Sequence, residues 1–169
     1  MPSKVIVATD RQAVPNKLKA PGFLVPMFKS PLILYRLGLG SLMGTRFLLL
    51  THVGRKTGKV YRSVLAVLSF DKQTREIRAV APWGASNWLK NIQARPALEV
   101  RTGSVHYVPV FRYLTPEEIA TLFIQFRTEH PNFSHVVARI PGWNIDSTYE
   151  EMLALARTLH GIAFKPAGG

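Results

Sequence analysis

The densest chemistry in the sequence lies in Gly54-Arg55-Lys56-Thr57-Gly58. Two cations and a hydroxyl stand between two glycines, with apolar runs on both sides. Arg55 offers a planar fork of donors that matches phosphate or carboxylate, Lys56 adds a point charge, and Thr57 adds a hydroxyl. The glycines permit positive φ and close approach of the backbone to a ligand. This is the composition of an anion clamp, although a solvated basic turn uses the same residue types equally well. It is not a Walker loop, because the spacing GxxxxGKS or GxxxxGKT is absent.

A second group runs from Ala81 through Pro82, Trp83 and Gly84 to Trp88 and Asn91. A helix opening after Ser86 would aim its unsatisfied N–H groups at an anion, and an indole face could line an aromatic ring. Tryptophans that only pack would give the same pattern. The five histidines (His52, His106, His130, His135 and His160) show no metal-ligand spacing and no HExxH, so no metal is expected. No GxSxG elbow supports a serine hydrolase. The chain has no cysteine, which excludes disulfides, thiolate metal sites and thiol catalysis and agrees with a cytoplasmic location.

These groups need elements to position them. The apolar run Phe47–Val53 is a buried strand, 54–58 a turn and Val60–Phe70 a second strand, which together make a hairpin. Glu76–Ala81 is a third strand. Ser86 is placed to cap a short helix, NWLKNIQA, ended by Arg95-Pro96. Ala97–Arg101 and Val105–Tyr113 form another hairpin, with Pro109 at an edge or bulge. Thr115, Pro116 and Glu118 carry a capping box, and Ile119, Leu122, Phe123 and Phe126 recur at helical spacing as a core face, bounded by Pro131. Ser147-Thr148-Tyr149-Glu150 repeats the capping signature for a last helix that Gly161 stops. Residues 162–165 add a final short strand. Hairpins rather than βαβ units predict an α+β protein, an antiparallel barrel of about six strands with helices outside it. The expected organisation is an extended arm over 1–30, one barrel domain over 31–165 and a loose tail over 166–169.

The chain has 169 residues and a net charge of +12, from 22 basic against 10 acidic residues, which implies an anionic partner. The cations are scattered along the chain, so no specific nucleic acid is expected. No apolar run is long enough for a membrane span. Residues 17–37 mix lysines and an arginine with large apolar residues, which allows peripheral membrane contact, although core packing accounts for them more simply.

Taken together, LLLTHVGRKTG, the strand VLAVLSF and the helix NWLKNIQARP resemble the deazaflavin-dependent nitroreductase family, split-barrel oxidoreductases that use the reduced deazaflavin coenzyme F-420. The likeness covers about residues 35–113. It implies that Arg55, Lys56 and Thr57 hold the cofactor's phosphate and acidic tail, and that Ser63, Val64 and Leu65 lie along its ring. It implies that Ala81, Pro82, Trp83 and Gly84 form a loop over the ring or phosphate, supported by Trp88 and Asn91. It implies hydride transfer to an electron-poor small molecule such as a quinone, an activated alkene or a nitro compound, and pairing as a homodimer. The chain departs from the pattern at Pro82-Trp83-Gly84, bulkier than the family's small-residue loop, and at Leu89, where a tyrosine is common. Related split barrels hold FMN, FAD or haem, and a non-enzymatic lipid or nucleic-acid binder is the further alternative. No catalytic residue is assigned; Tyr61 and Tyr149 are candidate proton donors, although packing accounts for both more simply, and solvent serves equally.

Overall fold

The structure, a computed structural model, describes residues 44–81, 86–139 and 141–168. The expected N-terminal arm, the helix after Ser30, and Pro82, Trp83 and Gly84 lie outside the described residues.

Seven strands and four helices are formed by the described residues. In chain order they are β1 (Phe47–Val53), β2 (Val60–Phe70), β3 (Ile77–Ala81), α1 (Asn87–Ala94), β4 (Glu99–Thr102), β5 (Val105–Tyr107), β6 (Pro109–Tyr113), α2 (Pro116–Glu129), α3 (Pro131–Arg139), α4 (Tyr149–Ala156) and β7 (His160–Pro166). Every strand pairing is antiparallel, and the order across the sheet is β5-β4-β1-β2-β3-β7-β6.

The two ends of that order are consecutive in the chain. Val105–Tyr107 pairs with β4 and Pro109–Tyr113 pairs with β7, with only Val108 between them. One length of chain therefore carries the sheet from one edge to the other and nearly closes a barrel. The single strand expected over Val105–Tyr113 is divided at this corner. Pro109 stands opposite Pro166 there, and neither has an N–H for the ladder. β2 makes the matching bend on the far side. It pairs with β1 over Val60–Ala66 and with β3 from Val67, and its register shifts between Val67 and Ser69.

Alternation along the strands sorts side chains into two cores. Leu48, Leu50, Leu65, Val67, Ile77, Ala79, Val100, Ile162 and Phe164 fill the barrel, joined by Trp88, Leu89 and Ile92 of α1. Leu68, Val80 and Ala163 face outward onto Ile119, Leu122, Phe123 and Phe126 of α2 and Met152 and Ala156 of α4.

Several expectations need correction. Ser86 stands at the start of α1 but its side chain makes no capping bond. Pro131 bounds α2 and also opens α3, since proline at a helix's first position loses no hydrogen bond. The last helix is capped one residue later than the pattern suggested, by Thr148 with Glu151. Gly161 does not stop a helix. It sits in β7, where a Cβ would lie 2.7 Å from Ile119 Cγ1 and 2.9 Å from Leu114 Cβ. The strand expected over 162–165 is formed and is longer, His160–Pro166: it pairs on both sides and is followed by a bond from Ala167 N–H to the Val108 carbonyl at 2.9 Å. The Thr115–Glu118 capping box is present as expected.

Candidate functional site

The parity that points Leu48 and Leu50 into the barrel makes His52 the last inward residue of β1, and it is only 3% exposed. Its neighbour across the ladder is Tyr61, and Leu50 stands opposite Ser63. Tyr61, Ser63 and Leu65 share one face of β2, and Val64 points to the other. The His52 and Tyr61 rings stack with centroids 6.1 Å apart.

The turn beyond them is held by its own bonds. The Gly58 N–H donates to the Gly54 carbonyl and the Gly54 N–H to the Lys59 carbonyl, both at 2.8 Å, while Gly58 takes φ +68°. A Cβ at Gly54 would lie 2.5 Å from the Tyr61 ring and 2.6 Å from Thr57 Oγ1, so glycine is what lets the ring lie over the turn. Thr57 Oγ1 and Tyr61 Oη are 3.1 Å apart, and the Lys59 N–H donates to Thr57 Oγ1 at 3.3 Å.

α1 completes the mouth. Its Trp88, Leu89 and Ile92 plug the barrel, which leaves Asn91, 6% exposed, against the turn. Asn91 Oδ1 accepts from the Arg55 N–H and from Arg55 Nη1, each at 3.1 Å. Asn91 Nδ2 lies 3.1 Å from His52 Nδ1, and His52 Nε2 lies 3.0 Å from Ser63 Oγ. Arg55, Asn91, His52 and Ser63 thus form one continuous polar chain from the turn to the barrel wall. Burial holds the His52 imidazole below the ordinary histidine pKa, which keeps it neutral at pH 7.

The mouth is also electropositive. Arg55, Lys56 and Lys59 at the turn, Arg62 on the outer face of β2, Lys90 on α1 and Arg95 just after it make no ion pair with any carboxylate among the described residues. Three carboxylates pair with cations elsewhere: Glu76 with Arg78, Arg112 and Lys165, Glu99 with Arg101, and Glu118 with Arg112.

Of the residues expected from the sequence, Arg55, Ser63 and Asn91 are brought together. Lys56 is exposed beside them, and the Thr57 hydroxyl is used within the turn. Leu65, Ala81 and Trp88 belong to the barrel core, where they form wall rather than polar contact. Val64 is on the opposite face of β2 from Ser63 and Leu65, so the three side chains do not line one surface. The central member of the chain, His52, is not singled out by the sequence pattern. Its signal was a polar residue at an inward-facing strand position three residues before Arg55.

A split barrel with a cation-rich, anchored turn at its mouth defines the class: a cofactor-binding protein for an anionic group. The chain belongs to the F420H(2)-dependent quinone reductase family, whose model matches residues 36–141. It is therefore an oxidoreductase, and its cofactor is the reduced deazaflavin coenzyme F-420. Among curated proteins, none is significantly similar to it in sequence. Among solved structures, an F420-H2 dependent reductase is 18% identical over 71% of this chain and 94% of its own, with a TM-score of 0.44. A structure described as a domain-swapped dimer is 16% identical over 83% of this chain and 99% of its own, with a TM-score of 0.47. A pyridoxamine 5'-phosphate oxidase-related, FMN binding protein from Nostoc punctiforme PCC 73102 is 14% identical over 85% of this chain and 80% of its own, with a TM-score of 0.41.

Proposed function

We propose that this chain reduces quinones, and by the same chemistry activated alkenes or nitro compounds, with the coenzyme seated at the barrel mouth. The observation that carries the reading is the Arg55 turn, locked to α1 through Asn91, whose Arg55, Lys56 and Lys59 make no ion pair with a carboxylate among the described residues. That donor set suits a phosphate and an acidic tail: one guanidinium nitrogen is committed to Asn91, which leaves the rest of the fork, with Lys56, for the ligand. Ser63, half-buried on the face of β2 that it shares with Leu65, is the polar group that would meet the flat ring.

When bound, the reduced deazaflavin supplies a hydride. A quinone takes that hydride and one proton and leaves as the hydroquinone. The chain's own residues bind, orient and keep water from the ring: Arg55 and Lys56 hold the anionic end, Asn91 fixes Arg55, and the apolar barrel wall excludes solvent. Homodimer pairing, which rests on the family resemblance, and a cytoplasmic location, which agrees with the absence of cysteine, are parts of this reading. No helix among the described residues is long and apolar enough to cross a membrane.

The test is a fluorescence titration with the oxidised deazaflavin coenzyme beside FMN at one ionic strength, followed by turnover with a panel of quinones. Tight binding of the deazaflavin, much weaker binding of FMN and quinone-dependent oxidation of the reduced coenzyme are expected. Binding of FMN in preference to the deazaflavin would remove the reading.

A further inference from the structure

The polar chain at the mouth has a fixed direction. The Arg55 N–H and Nη1 only donate, so the Asn91 atom they both address is its carbonyl oxygen. The other end of that amide, Nδ2, also only donates, and the atom it faces, His52 Nδ1 at 3.1 Å, must accept. A neutral imidazole that accepts at Nδ1 carries its proton on Nε2. Nε2 is 3.0 Å from Ser63 Oγ, so the serine oxygen accepts and its own hydrogen is turned away from His52. Each assignment forces the next, starting from a cation, and bonds aligned head to tail polarise one another. Protonation of Nδ1 would set an N–H against the Asn91 NH2, so the same arrangement that fixes the tautomer opposes the imidazolium.

We propose that Asn91 and His52 are positioning residues that hold the Ser63 hydroxyl as an obligate hydrogen-bond donor to an acceptor atom of the coenzyme's ring, while Asn91 holds Arg55 for its phosphate. This rests on the proposed function for the ring's place beside Ser63. The direction of the chain rests on the geometry alone. One amide thus serves both ends of the cofactor, thirty-six residues from the arginine and thirty-nine from the histidine.

Two variants test it. Asn91→Asp keeps an oxygen for Arg55 and puts a second acceptor where the NH2 was. At a pH that keeps the imidazole neutral, His52 must then donate from Nδ1, and Ser63 must turn its hydrogen back to Nε2. Ser63→Ala removes the donor and leaves the other three residues in place. The measurements are the nitrogen-15 imidazole shifts of His52 in the cofactor-free protein, and the affinity for a 5-deazaflavin ring carrying only its ribityl chain, beside that for the whole coenzyme. The expected result is an Nε2–H tautomer in the native protein and an Nδ1–H tautomer in Asn91→Asp. Both variants should bind the ring fragment about tenfold more weakly, the worth of one hydrogen bond to a ligand. An Nδ1–H tautomer in the native protein, or unchanged fragment affinity in Ser63→Ala, overturns the inference while tight binding of the whole coenzyme leaves the proposed function standing. Failure of the native protein to bind either probe overturns both.

Discussion

Asn91 Oδ1 takes both the main-chain N–H and the guanidinium of Arg55, each at 3.1 Å. A helix side chain therefore anchors the turn by its backbone as well as by the residue that meets the ligand. The main-chain bond survives truncation of the Arg55 side chain to alanine, so binding and folding are separable here. The double variant Arg55→Ala, Lys56→Ala is expected to remain folded, with an unfolding free energy within about 1.5 kcal/mol of native, the worth of the one side-chain bond lost to Asn91. Its affinity for the coenzyme should fall roughly tenfold to a hundredfold with the loss of charge-assisted bonds. A folded double variant that binds as well as native would remove the turn from the site.

How much of this was legible in the sequence depends on how local the cause is. β1, β2 and α1 fall on their expected residues because apolar runs, glycine turns and a proline stop act within a few residues. The capping box of α2 is equally local. The hairpins made an antiparallel barrel legible, but not the way it closes, which depends on one length of chain pairing with β4 by one half and β7 by the other. Gly161 looked like a helix stop, and only the approach of Ile119 and Leu114 shows why a glycine stands there. Arg55 and Asn91 were both recognisable as candidates. The link between them, and the place of His52 in it, needs the packing of α1 against the hairpin, which no spacing in the sequence reveals.

Glu76 gives a prediction on acid stability. Its carboxylate is 3% exposed and meets Arg78 at 2.5 Å, Lys165 at 3.0 Å and Arg112 at 3.8 Å, which ties β3 to β7 and β6. Burial alone would raise its pKa, but the bonds from Lys165 and Arg78 outweigh burial and hold it below the usual carboxylate range. A depressed carboxylate stabilises the fold above its unfolded pKa of about 4.3, and that contribution is lost as pH falls through the folded value. Glu76→Gln should cost about 2 kcal/mol at neutral pH, the worth of a bond to a charged group. It should also flatten the decline in stability below about pH 4.3, where the native carboxylate takes up its proton. Parallel acid limbs in native and variant unfolding curves would show that Glu76 is not the group responsible.

Gly161 lies on the outward face of β7, directly beneath α2. An added methyl would meet Ile119 Cγ1 at 2.7 Å and Leu114 Cβ at 2.9 Å, and both neighbours are fully packed. Gly161→Ala is expected to destabilise by about 1–3 kcal/mol through overpacking, despite alanine's better backbone entropy. The shorter neighbour in Ile119→Val should recover part of that loss in the double variant, a coupling that a mutant cycle reads directly. Additive effects would place the strain elsewhere.

His52 carries the prediction on pH and binding. Its burial depresses the imidazole pKa, so protonation is resisted until the solution is more acidic than the ordinary histidine value of about 6.5. The ionisable groups on the surrounding elements are Arg55 and Lys56 on the turn, Tyr61 and Arg62 on β2, Lys90 on α1, and Glu99 with Arg101 on β4. The one carboxylate among them is paired with Arg101 at 3.3 Å, and the depression of the His52 pKa comes from burial. With the folded pKa depressed, the contribution of His52 is complete above about pH 6.5 and is lost as pH falls below it. Coenzyme affinity should therefore stay level from alkaline pH down to about 6.5 and decline only in more acidic solution, as the imidazolium breaks the bond from Asn91. The pH-dependent decline should be absent from His52→Gln, whose amide does not titrate. An affinity that already falls by half near pH 7 in the native protein, with the same curve in His52→Gln, would show that another group sets the pH dependence and that the buried chain does not govern binding.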